Sequence, residues 1–155
     1  MNTKIKQGLI GGVVATVVMT AFMMIAAIIG MPKMSPPKML ATMMGLPILV
    51  GWIMHFMIGV IFALVYAFYF MNLLKSINSN VLKGVIFGVA AFIFAQIAMA
   101  ILGAIKGGMP ASEDSVLLIM VAGIVGHIVF GIVVALLVKD VGSTTNFELD
   151  QKKGV

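Results

Sequence analysis

Four long apolar stretches divide the chain: Leu9–Ile29, Leu46–Met71, Val85–Ile105 and Val116–Val138. Charged residues are confined to the segments around them. Each stretch is 21 to 26 residues long. At a rise of about 1.5 Å per helical residue, that length crosses a hydrocarbon core roughly 30 Å thick. Lipid offers the peptide backbone no hydrogen-bond partner, so a spanning segment must satisfy its N–H and C=O groups internally, as a helix does. The expectation is an all-α membrane protein, a four-transmembrane-helix up-down bundle forming a single domain.

The pattern repeats. Gly51-Trp52-Ile53-Met54-His55-Phe56-Met57-Ile58-Gly59 returns 72 positions later as Gly123-Ile124-Val125-Gly126-His127-Ile128-Val129-Phe130-Gly131. Each histidine has glycine four residues before and four after, and both copies continue into Ala-Leu (Ala63-Leu64, Ala135-Leu136). The first and third apolar runs match at an offset of 76, pairing Gly8 and Gly12 with Gly84 and Gly88, and Ala15 with Ala91. These matches define two tandem two-helix repeats, 5–71 and 82–139, with a short polar tail over 140–155. Two spans return a chain to the side it left, so the repeats are expected in the same orientation, related by a pseudo-twofold axis along the membrane normal.

Composition narrows the class. The 155 residues are 62% hydrophobic and 10% charged, with a mean hydropathy of +1.20. A water-soluble domain of this size could not cover so much apolar side chain. The chain has no cysteine, which excludes disulfide frameworks, thiolate metal sites and cysteine nucleophiles. The net charge of +5 comes from ten lysines and no arginine. Seven lysines (4, 6, 75, 83, 139, 152 and 153) flank one side of the alternating spans, and three (33, 38 and 106) the other. By the positive-inside rule both termini are cytoplasmic. Glu113 and Asp114 then lie outside, Trp52 towards the outer interface, and Tyr66 and Tyr69 towards the inner one. Basicity of this kind points to topology and anionic lipid, and excludes a nucleic-acid partner. The first span follows Lys4 and Lys6 as a signal peptide would, but it is long and lacks a small-x-small cleavage site. Between the first two spans, Ser35 followed by Pro36-Pro37 reads as the capped start of a short interfacial helix.

Helical rise places one polar residue per span near a common depth. Thr20 is twelve residues beyond Gly8, Gln96 twelve beyond Gly84, and His127 twelve before Lys139, with His55 at the equivalent level. Each offset is about 18 Å. Ionisable groups inside a membrane are costly and are read as functional. Three readings compete. In the first, His55 and His127 are the axial ligands of one b-type heme, serving electron transfer or redox sensing. Gly51, Gly59, Gly123 and Gly131 then clear space for the flat macrocycle, and Thr20 and Gln96 lie at the level to accept hydrogen bonds from the imidazoles, as could a backbone carbonyl. The pair resembles the diagonal histidines of b-type cytochromes, although those carry two ligands on each of two helices. The second reading is a cofactor-free accessory or structural subunit. Its His, Gln and Thr layer fixes helix register through bonds of about 0.6–2 kcal/mol each. The third is a small transporter or a divalent-metal site on two histidines plus Gln96. The membrane interior holds no Asp, Glu or Lys for an ion pathway. No paired carboxylate, catalytic triad or phosphate-binding loop is present, so an enzyme is not expected.

The stretch 31–70, with Pro36-Pro37-Lys38-Met39 and Gly51-Trp52-Ile53-Met54-His55-Phe56, resembles an uncharacterised family of small bacterial multipass proteins. The resemblance implies four helices in a bacterial inner membrane, and no activity or site residues. The small-residue stripe Gly8, Gly12, Thr16 and Thr20 could also support a homodimer or a larger membrane complex.

Overall fold

The computed structural model describes residues 3–33, 35–108 and 115–139. Glu113, Asp114 and the tail 140–155, with Lys152 and Lys153, lie outside the described residues. The described chain forms five helices: α1 (Thr3–Ile28), α2 (Pro36–Met44), α3 (Ile48–Leu73), α4 (Asn80–Lys106) and α5 (Val116–Leu137). Four of them, all except α2, are long and apolar enough to cross a membrane. No strand occurs among the described residues.

These helices are built for lipid. On α1 the buried positions are the small or slender ones, Gly8, Gly11, Gly12, Ala15, Thr16, Met19 and Met23. The bulky β-branched side chains Ile10, Val13 and Val17 point outward. Apolar surface gains nothing by leaving lipid, so helix association depends on close packing, which small residues permit. The local signals at the helix ends are of ordinary kind. The Ser79 hydroxyl accepts from the Leu82 amide at 3.3 Å to start α4. Gly107, at φ 85°, ends α4 in the left-handed region that favours glycine. Ser35 caps α2 by accepting from the Lys38 amide at 3.4 Å, and Gly45 closes it at φ 67°.

Helix α1 is central and packs against both α3 and α5, while α4 packs on α5 and α2 on α3. Helices α3 and α4, at the two ends of this arc, make little backbone contact. Aromatic rings bridge them instead. Phe62 meets Phe94 edge-on with centroids 5.8 Å apart, and Tyr66 and Phe70 each lie 5.0 Å from Phe87. Over Tyr66–Phe70, α3 is π-helical. A π turn carries an extra residue and re-aims the side chains beyond it; here both Tyr66 and Phe70 reach the same ring of α4. Tyr66 is therefore 1% exposed, a core residue rather than the interfacial anchor its position suggested, whereas Tyr69 is exposed.

Candidate functional site

The gap between α3 and α4 is a cavity of about 920 Å³. Its walls are α3, α4 and α5, with Thr16, Met19 and Met23 of α1 behind. Pro36, Met39 and Leu40 of α2 close one end, and the aromatic cluster of Phe70, Phe87 and Phe130 the other. Ile61, Ile93, Phe94 and Ile97, all more than half exposed, stand around its mouth. Because these residues lie within spans, the mouth opens sideways, towards lipid.

Four polar side chains interrupt this apolar lining: Thr16, His55, Gln96 and His127. Three of the four residues expected at one depth thus share the cavity, and the fourth, Thr20, touches it through His55. The Thr20 hydroxyl lies 3.3 Å from His55 Nε2 and 2.7 Å from the Thr16 carbonyl oxygen. A carbonyl only accepts, so the Thr20 proton goes to Thr16. The Thr20 oxygen is then left to accept from Nε2–H of His55. Trp52 and Phe56 flank the His55 ring with centroids 6.4 and 6.2 Å away.

His127 is held differently. Its Nδ1–H donates to the Gly123 carbonyl at 2.8 Å, one turn back on α5. In a neutral ring that leaves Nε2 as a bare lone pair. Phe92 packs edge-on against the ring at 5.5 Å. Gln96 does not reach either histidine; its amide donates to the Met120 sulfur at 2.9 Å.

The difference comes from a slip of one helical turn between the two hairpins. In the first, a methyl at Gly12 would sit 2.6 Å from Val60 Cα, so Gly12 lies against the 59–60 backbone. In the second, the same level of α5 (Gly131, Ile132) lies against Gly84, the counterpart of Gly8, while Gly88 lies against His127 and Ile128. Four residues of slip amount to about 6 Å. Thr16 explains it. Its hydroxyl sits against Gly59, and its counterpart in α4 is Phe92, whose ring could not lie against Gly131. Sliding one turn brings Gly88 there and moves Phe92 onto His127. Gln96 is carried past the histidine by the same turn.

The flanking glycines also serve a purpose other than the one expected. A methyl at Gly51 would meet the Pro37 carbonyl oxygen, at Gly59 the Thr16 hydroxyl, and at Gly131 the backbone of Gly84 and Gly88. All three bring helices together, and Gly59 also lines the cavity. Gly123 lines the cavity and holds His127 through its carbonyl. Among the described residues, no group of three or more His, Cys, Asp or Glu side chains is placed to hold a metal ion. Sequence reasoning did not anticipate Phe92, Met120, the end wall from α2 or the aromatic cluster. Only Phe92 left a usable trace, through its alignment with Thr16.

Together these features define a small multipass membrane protein with a side-opening apolar cavity at whose wall two differently held imidazoles stand. The chain belongs to the family of unknown function DUF6789, whose model matches residues 2–148. No curated protein and no solved structure matches it.

Proposed function

We propose that this protein binds a lipophilic small molecule that enters from the bilayer between α3 and α4. One observation carries this reading: a cavity of about 920 Å³, large enough for a cofactor-sized guest and apolar apart from a few placed polar groups, lies between two spans whose backbones stay apart and which only aromatic side chains bridge. An apolar cleft of that size, open on one side, forfeits dispersion contacts along its walls unless lipid or a guest fills it. The orientation with both termini cytoplasmic, read from the lysines, belongs to the same proposal.

Heme b is a second reading, and a specific observation favours it. Both histidines line one cavity, and His127 has the Nδ1–H···O=C bond that orients an imidazole to offer Nε2 to a metal. Against it, His55 Nε2 is engaged by Thr20, and the chain has no arginine for the propionates.

Native mass spectrometry of the protein released from mild detergent tests both readings, with an absorbance spectrum of the same sample. A stoichiometric adduct, lost when Ala95→Phe fills the cavity, is the expected result. An adduct with a Soret band that sharpens on reduction identifies heme. A bare chain mass in wild type, with the fold intact, overturns both and leaves the cofactor-free bundle.

A further inference from the structure

The cavity also constrains the polar end of its guest, given the binding role proposed above. We infer that the guest presents an uncharged hydrogen-bond donor, an aromatic hydroxyl of the phenol or hydroquinone class on an alkyl tail, and that His127 Nε2 reads it.

His127 has given its only N–H to the Gly123 carbonyl, and among the described residues no other group bonds its ring. Its free nitrogen can accept and cannot donate. A ketone, ether or ester placed there would set lone pair against lone pair in an apolar medium, where a mismatched polar group costs most. A hydroxyl is matched. Gln96, on the facing helix, has committed one amide proton to Met120 and keeps its carbonyl oxygen and its second amide proton, so it can serve a donor or an acceptor, and the acceptor-only group is His127.

Charge is excluded by what surrounds the cavity. None of its lining residues is Lys, Asp or Glu, so neither an anionic nor a cationic head would be compensated. A phospholipid, whose head group belongs at the water interface, cannot bring its polar end to His127. Shape supplies the aromatic part. Phe92 stands edge-on to His127, and Phe87 and Phe130 close the adjoining end of the cavity. A flat ring therefore meets aromatic faces and edges. Its alkyl tail leaves through the mouth along Ile93 and Ile97 into lipid.

The test uses the full-length protein in nanodiscs and tritiated para-octylphenol, with para-octylanisole as competitor. The two probes share shape and tail and differ in one hydroxyl proton. The phenol is expected to bind saturably, one per chain, and the anisole to compete about tenfold more weakly or worse. His127→Leu should bring phenol binding down to the anisole level, and His127→Gln, which restores an acceptor, should recover part of the difference. Equal competition by the two probes at a saturable site would overturn the donor inference while leaving the cavity reading intact. No saturable binding of either probe would remove both. Preference for the phenol that survives His127→Leu would overturn the role of His127. Should that variant fail to fold, nitrogen-15 spectra of wild type decide. The His127 Nε2 resonance must move with the phenol and stay put with the anisole.

Discussion

Two hairpins that match in sequence treat their histidines in opposite ways. In the hairpin of α1 and α3, Thr20 fixes the His55 ring from the neighbouring helix by accepting the hydrogen bond from its Nε2–H. In the hairpin of α4 and α5, His127 is fixed from within its own helix and turns a free acceptor outward. The cause is not at the histidines. It lies at position 16 and its counterpart 92, where a threonine small enough to face Gly59 is replaced by a phenylalanine that could not face Gly131. One side chain sets which turn of one helix meets which turn of the next, and that register decides which imidazole is available. Duplicated sequence need not mean duplicated chemistry when the packing contact inside one copy differs from that inside the other.

The largest effect should come from giving the first hairpin the second one's residue. Thr16, 1% exposed, cannot become phenylalanine in the present register. Thr16→Phe is expected to cost at least about 3 kcal/mol, the upper end for overpacking, or to shift α1 against α3 by a turn. Detergent unfolding gives the energy, and loss of the Thr20–His55 contact in nitrogen-15 spectra reports the shift. A variant as stable as wild type with that contact intact would refute the role assigned to position 16.

Glycine substitutions should next separate a contact with rigid backbone from one with a flexible side chain. In Gly88→Ala the new methyl meets the backbone of His127 and Ile128, which cannot yield, and about 1–3 kcal/mol should be lost. In Gly8→Ala it meets the end of the flexible Leu64 side chain, 2.6 Å away, which can turn aside, so the loss should stay below about 1 kcal/mol. Equal losses in matched unfolding titrations would show that the Leu64 side chain does not turn aside at Gly8.

Smaller still is the polar layer. Thr20→Ala removes the acceptor for His55 and should cost about 0.6–1.7 kcal/mol. Gln96→Ala leaves both histidines as they are and should cost less, because it loses only a bond to sulfur on a partly exposed face. The reverse order in the same titrations would mean that Gln96, not Thr20, supports a histidine. Finest of all is the tautomer pair. Nitrogen-15 histidine spectra should show His55 protonated at Nε2 and His127 at Nδ1, and a shared tautomer would contradict the asymmetry.

Much of the architecture was legible in the chain because lipid leaves so few options. Runs such as Val85–Ile105 had to be helices, and the helix found, Asn80–Lys106, is longer mainly because its flanking polar residues also take part. The Ser35-Pro36-Pro37 cap announced α2. Counting along the helices also placed His55, Gln96 and His127 at one cavity. Counting could not say which residues face one another, since an offset in sequence carries no packing register, and so it left Gln96 and a backbone carbonyl as equal candidates where His127 uses the Gly123 carbonyl. The close-packing role of the glycines beside each histidine was illegible for a related reason. A missing side chain permits both an open space and a close helix, and only the neighbour, Pro37 at Gly51 or Gly84 at Gly131, tells them apart. The π-helical stretch that buries Tyr66 had no signal beyond a cluster of aromatics.

The claim on which the account rests is that the space between α3 and α4 admits a discrete guest from the bilayer. Trp52, the sole tryptophan, stands 6.4 Å from the ring of His55 at the cavity wall and serves as its reporter. Titrating the protein in nanodiscs with ortho-bromo-para-octylphenol should quench Trp52 emission along a saturating curve, and the curve should collapse to a shallow line in Ala95→Phe. Quenching that rises linearly with the probe's concentration in lipid, and identically in the two proteins, would mean that the molecule partitions into the bilayer and never enters the chain.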